Sequence, residues 1–141
     1  MAVNVYMVFD GKTREALALY KEAFQTADAH VMTFGEGHQG DEYAITEEAK
    51  NRIMHANLEI VGSLIMFSDT FPGQPYTVGN NITLAAVTDD EENLRNAFGT
   101  LGREGKISME LQETFWSKCY GSLVDKFGVE WQFNLEQKNS Q

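Results

Sequence analysis

His55, in the stretch IMHANLEI, carries the most versatile chemistry in the chain, because an imidazole on a polar strand face can give or take a proton near neutral pH. A hydrogen-bonded structural histidine is the equally simple alternative. In GVEWQFNLE the alternation puts Trp131, Phe133 and Leu135 on one side of a strand and Glu130, Gln132 and Asn134 on the other. The same division leaves His55 beside Ile53, Asn57 and Glu59, opposite Met54, Ala56, Leu58 and Ile60. It leaves Asn4, Tyr6 and Val8 opposite Val3, Val5, Met7 and Phe9, and Asn81, Thr83 and Ala85 opposite Ile82, Leu84 and Ala86. The outer face of an acidic protein more often carries Lys, Glu and Asp. Rows of amide, hydroxyl and imidazole groups suit a partly enclosed site for a small organic molecule, whereas a solvated sheet face is the plainer reading.

Other residues offer less. Phe115, Trp116 and Tyr120 could clamp a planar ligand, or serve equally as core or as a dimer interface. Cys119 lies among those aromatics without an identifiable activating partner, so packing is its expected role. Glu113 reads as a surface charge and Asp125 as the residue that initiates the KFG turn. His30 and His38 fall in or beside surface segments. GEGHQG, residues 35 to 40, has the form G-x-G-x-x-G, but Glu36 would oppose phosphate and the following DEYAITEEAKNR makes a poor packing helix. A flap or dimer-contact loop is the better expectation, and the lack of a Rossmann-type unit argues against a nucleotide-dependent methyltransferase.

These side chains need elements to position them. VNVYMVF (3 to 9) reads as a strand, followed by a helix in DGKTREALALYKEAF with Thr13 as N-cap and Leu17, Tyr20 and Phe24 at helical spacing. AHVMTF is β-like, residues 35 to 52 form a polar loop, and IMHANLEI and SLIMFSD make a hairpin turning at Gly62. Pro72, Gly73, Pro75 and Gly79 break the chain. Beyond the break come a strand in NITLAAV, a helix in TDDEENLRNAFGTLG, and strands in KISMELQE, FWSKCYGSLV and VEWQFNLE. The order βαβββ thus occurs twice, an α+β pattern with modules at 1–70 and 78–136 expected to share one domain over 1–141.

Composition narrows the partners. With 21 acidic against 11 basic residues the net charge is −10, which opposes nucleic acid or an anionic membrane. No apolar run approaches the roughly 20 residues of a membrane span. A single cysteine and a start without an export-signal pattern make a cytoplasmic protein the simplest expectation.

The paired βαβββ pattern resembles the vicinal oxygen chelate superfamily, which includes glyoxalases, extradiol dioxygenases, fosfomycin resistance proteins and bleomycin-binding proteins. FDGKTREALALYKEAF, MHANLEIVGSLIMFSD and QETFWSKCYGSLVDKFGVEWQFNL are similar to the recurring blocks of its PhnB-like branch. The resemblance implies curved mixed sheets around a cavity with helices outside, a homodimer, and Asn4, Tyr6, His55, Asn57, Asn81, Trp116, Tyr120, Gln132 and Asn134 at the ligand. Metal-dependent members of the superfamily bring His and Glu from the first and last strands of both modules to one divalent ion. The corresponding stretches here offer Asn4 or Tyr6, Met66 or Ser68, Asn81 and Gln132, which are weak ligands for a transition metal. Glu130 and His55 would be too few for a displaced site. The expectation is a metal-free binding cavity without a cofactor. The alternative is a metal-dependent lyase, isomerase or dioxygenase of glyoxalase type.

Overall fold

A computed structural model describes residues 1–37 and 45–137. The chain divides into two compact units, one of Met1–Lys21 and Thr26–Thr77, the other of Glu22–Gln25 and Val78–Gln141.

In the first unit the strands are β1 (Val5–Phe9), β2 (His30–Thr33), β3 (Ile53–Ile60) and β4 (Ser63–Asp69), with helices α1 (Thr13–Phe24), α2 (Phe34–Gly37) and α3 (Glu47–Asn51). The sheet order is β1-β4-β3-β2, with β1 parallel to β4 and the other pairs antiparallel. Alternation sorts the core as period two requires: Met7, Phe9, Ala56, Leu58, Ile60, Ile65 and Phe67 are buried. Ala16, Leu17 and Tyr20 form the buried stripe of α1, and the Tyr20 ring lies 6.1 Å from that of Phe67.

The second unit repeats the plan with β5 (Leu84–Thr88), α4 (Glu91–Gly102), β6 (Lys106–Gln112), β7 (Tyr120–Val124) and β8 (Glu130–Leu135), in the order β5-β8-β7-β6. Asp90 caps α4 by accepting from the Asn93 N–H. Leu94, Ala97, Phe98 and Leu101 bury one face of that helix, with Phe98 edge-on to Phe133 at 5.6 Å. The last turn of α1 belongs to this unit, where Phe24 lies 5.2 Å from Trp131. Trp131 and Phe133 therefore take the buried face, as their alternation predicts.

Several expectations need correction. The strands start later than their hydrophobic patterns suggest, because ladder pairing begins only at Val5↔Ile65 and at Leu84↔Trp131. Thr13 is the first helical residue of α1 rather than its cap; its N–H donates to Asp69. The polar segment 35 to 52 is no plain loop, since it contains most of α2 and all of α3, the latter capped by Thr46 accepting from the Ala49 N–H. Ile53 joins the core because the β2–β3 register shifts between Met32 and Thr33.

The β3–β4 hairpin joins Ile60 to Ser63 through two residues of positive φ, Val61 at 48° and Gly62 at 82°. Both signs match a type I′ turn, which twists with its strands but suits Asn and Gly rather than a β-branched residue. Val61→Asn is expected to raise stability by about 1 kcal/mol. A urea midpoint that stays put or falls would show that Val61 carries no backbone strain.

Candidate functional site

Each sheet has an open face opposite its buried one. In the first unit the register sets Tyr6 beside Met66, Met66 beside Asn57 and Asn57 beside His30, while His55 pairs with Met32. The Tyr6 hydroxyl stands 3.4 Å from His55 Nδ1, and their rings lie 5.9 Å apart. That separation is long for a strong hydrogen bond, so the imidazole is approached rather than locked. Tyr6 is exposed, whereas His55, Asn57, Met66 and Ser68 are half-buried. This face can offer a phenol, an imidazole and an amide to one small ligand.

In the second unit the corresponding face carries Glu130, Gln132 and Asn134 on β8, paired with Val124, Ser122 and Tyr120 on β7. On its other side β8 pairs with β5, setting Ala85 beside Gln132 and Val87 beside Asn134. The Tyr120 hydroxyl donates to Gln132 Oε1 at 3.1 Å, which fixes the orientation of that amide. Trp116 stands edge-on to Tyr120 at 5.2 Å, and Phe115 edge-on to Trp116 at 4.7 Å.

Of the residues predicted for the site, Tyr6, His55 and Asn57 share one open face and Tyr120, Gln132 and Asn134 the other, with Trp116 beside Tyr120. Asn4 and Asn81 are exposed and precede their strands, outside the paired rows. His30 is exposed on the edge strand β2, and His38 lies outside the described residues. Cys119 is buried, its N–H donates to Ser117 Oγ, and burial pushes its thiol pKa up, away from the nucleophilic thiolate. Glu113 is exposed while Asp125 is buried in a turn, so the two carboxylates have separate roles.

A cleft of about 440 Å³ opens elsewhere in the first unit, lined by residues including Asp10, Lys12, Arg14, Glu48, Arg52 and Asp69. Sequence reasoning passed over it because its charges belong to three separate segments. Arg52, 14% exposed, spans it by donating to Asp10 at 2.8 Å, to the Thr70 carbonyl at 3.0 Å and to Glu48 at 3.4 Å. The Arg52 hydrogen bond holds the Asp10 carboxyl below its ordinary pKa range. These groups satisfy one another, and a Cβ on Gly11, whose φ is +81°, would meet the guanidinium at 2.9 Å. The cleft is a charge clamp that holds the β1–α1 turn against the ends of α3 and β4.

Residues 2–134 match the family described as 3-demethylubiquinone-9 3-methyltransferase. The chain belongs to that family. It is 32% identical to Protein YjdN of Escherichia coli K12, across 96% of this chain and 95% of that protein. Among solved structures, protein PA1353 from Pseudomonas aeruginosa aligns with a TM-score of 0.80 at 29% identity, covering 98% of this chain and 99% of that one. The PhnB protein from Bacillus cereus aligns at 0.72 and 26%, covering 96% and 100%. A glyoxylase/bleomycin resistance protein/dioxygenase domain from Frankia shares the fold alone, with a TM-score of 0.65 at 12% identity. The chain is thus PhnB-like, and its α+β fold is the glyoxalase-like one.

The groups implied by these relationships can be tested against the residues present. A nucleotide methyl donor, suggested by the family description, does not fit. The sheets are mixed rather than doubly wound, and Gly35 to Gly37 lie in α2, where a Cβ on Gly37 would strike Met54 at 2.3 Å. The divalent metal of the superfamily does not fit its expected positions either. Tyr6 and Ser68 offer hydroxyls, Met66 a thioether, Asn81 an amide on an exposed segment, and Gln132 an amide oxygen already accepting from Tyr120. Among the described residues, no group of three or more His, Cys, Asp or Glu comes together to hold an ion.

Proposed function

We propose that this PhnB-like protein binds a small organic molecule on the open polar faces of its sheets without a metal, and that His55 supplies acid–base chemistry there. The observation that carries this reading is the approach of Tyr6 to His55, with Asn57 and Met66 completing the row. A half-buried imidazole loosely held by a phenol can exchange a proton with a ligand inserted between them. The proposed lining is Tyr6, His55 and Asn57 on the face of the first unit and, separately, Trp116, Tyr120, Gln132 and Asn134 on that of the second. A cytoplasmic location and a homodimer are part of the proposal, the dimer supported by the exposed edge strand β6 with its apolar Ile107 and Met109. Among the described residues, no helix is long and apolar enough to cross a membrane.

The test couples metal analysis to ligand screening. Protein purified without chelator or metal-affinity tag is expected to carry well under one equivalent of zinc, nickel, manganese or iron. A metabolite screen by thermal shift is expected to yield ligands whose affinity falls about tenfold in His55→Ala, the scale of one hydrogen bond to a buried polar group. Stoichiometric metal would defeat the metal-free reading. Ligands indifferent to His55 would remove that residue from the site.

A further inference from the structure

The polar, half-buried face of β8 carries an unmet chemical requirement. Glu130 Oε2 and Asn134 Oδ1 are buried, and neither has a hydrogen-bond partner. Their neighbours explain why. Glu130 is paired with Val124, which has no polar side-chain atom, and Asn134 lies between Val87 and Tyr120. The Tyr120 hydroxyl is committed to Gln132, and Gln132 lends its own amide to neither acceptor. No described Lys or Arg forms an ion pair with Glu130, whereas the clamp acids Asp10 and Glu48 share Arg52. A buried carboxylate oxygen without a donor is the costlier of the two in the free protein, so a ligand that supplies a donor to Glu130 gains by relieving it.

We propose that this face binds an elongated organic cation, its protonated nitrogen at Glu130 and its flat apolar part against Trp116 and Tyr120. The proposal rests on the small-molecule reading above and specifies the ligand class. Sign favours a cation: the one unpartnered charged atom of the row is a carboxylate oxygen, and the net charge of −10 draws cations toward the protein. Length follows from the strand. Glu130 and Asn134 are four residues apart, or about 13 Å at the usual rise, with Tyr120 paired at the Asn134 end. Trp116, 52% exposed, adds aromatic surface there. A metal ion fits poorly, because one carboxylate and two amides leave most of a coordination shell to water.

The experiment compares two probes of one shape, 4-phenylbutylammonium and 4-phenylbutanol, by isothermal titration at neutral pH and physiological salt. The ammonium is expected to bind at least tenfold more tightly. Glu130→Gln should reduce that preference to within about twofold while leaving the alcohol's affinity unchanged, and Trp116→Ala should weaken both probes alike. Val124→Lys places a tethered ammonium beside Glu130 and should abolish the preference too, so the test stands even if one variant folds poorly. Equal binding of the two probes to wild type would overturn the cation assignment and leave the small-molecule reading intact. A preference that survives both Glu130→Gln and Val124→Lys would trace it to general surface acidity and also overturn the proposal. Binding of neither probe would count against both readings.

Discussion

Asp125→Ala is expected to lower the unfolding free energy by about 3 to 4 kcal/mol, the largest loss from any single truncation outside the apolar core. Asp125 is 4% exposed, and both of its oxygens are engaged. Oδ1 accepts from the N–H groups of Phe127 and Val129 at 2.8 and 3.1 Å, and Oδ2 from Trp131 Nε1 at 2.9 Å. One carboxylate thus shapes the turn between β7 and β8 and anchors the indole that fills the core of the second unit. Alanine withdraws the acceptor from all three donors at once, and water reaches the buried site of the carboxylate poorly. Each charged hydrogen bond contributes about 1.5 to 3 kcal/mol, and the sum falls short of additive because the bonds share one group.

The melting temperature should drop by roughly 10 °C for a chain of this size. Trp131→Phe removes the indole donor, and because its own cavity cost cancels, a double-mutant cycle isolates the indole bond. Asp125→Ala should cost about 1 to 2 kcal/mol less in the Trp131→Phe background than in wild type. Identical costs in both backgrounds would assign the whole effect to the turn. A total loss below about 1 kcal/mol would show that the turn recruits water or other acceptors and that Asp125 is no anchor.

How far the sequence foretold this structure depends on the range of the interaction. Strand faces were legible, because period two is local: Trp131 and Phe133, or Ala56, Leu58 and Ile60, sort correctly without knowledge of their neighbours. Strand ends were not. Asn4 and Asn81 continue a polar row in the sequence, yet a strand extends only as far as its partner does, and pairing starts at Val5 and Leu84. Ile53 was assigned to the wrong face because a register shift is a property of two strands together. Helices α2 and α3 span four and five residues, too few for a periodic signal, and only the Thr46 cap marks either of them. In the candidate site, the polar rows could be read but not their satisfaction. Nothing local shows that Tyr120 donates to Gln132, 12 residues on, or that Glu130 and Asn134 are left without donors.

Asp69 shows the same limit more sharply, and it carries the second large effect. At the end of β4 it looks like an ordinary turn residue, yet it is 6% exposed. Its Oδ1 accepts from the Thr13 N–H at 3.0 Å and its Oδ2 from the Ile53 N–H at 2.9 Å. A single carboxylate therefore ties the start of α1 to the start of β3, at separations of 56 and 16 residues. The repeat does not demand this device. Asp69 pairs with Phe9 as Leu135 pairs with Thr88, and the next residue in each unit, Thr70 or Glu136, donates its N–H back to that strand. At the Leu135 position the tie is instead made by the Ser117 hydroxyl, whose single proton is shared between the carbonyls of Leu135 and Cys119 at 2.9 and 3.0 Å. Asp69→Leu, which imitates the second unit, should therefore fail in the first, because it supplies no acceptor to the two buried backbone donors. The expected loss is about 3 kcal/mol. Asp69→Asn should lose less, since its amide oxygen can still accept one bond while its NH₂ opposes the other donor. Native-state hydrogen exchange gives the specific signature: protection at Thr13 and Ile53 should fall in Asp69→Leu while that of β8 amides falls only with global stability. Unchanged protection at both amides would mean that the helix start and β3 are held by packing alone.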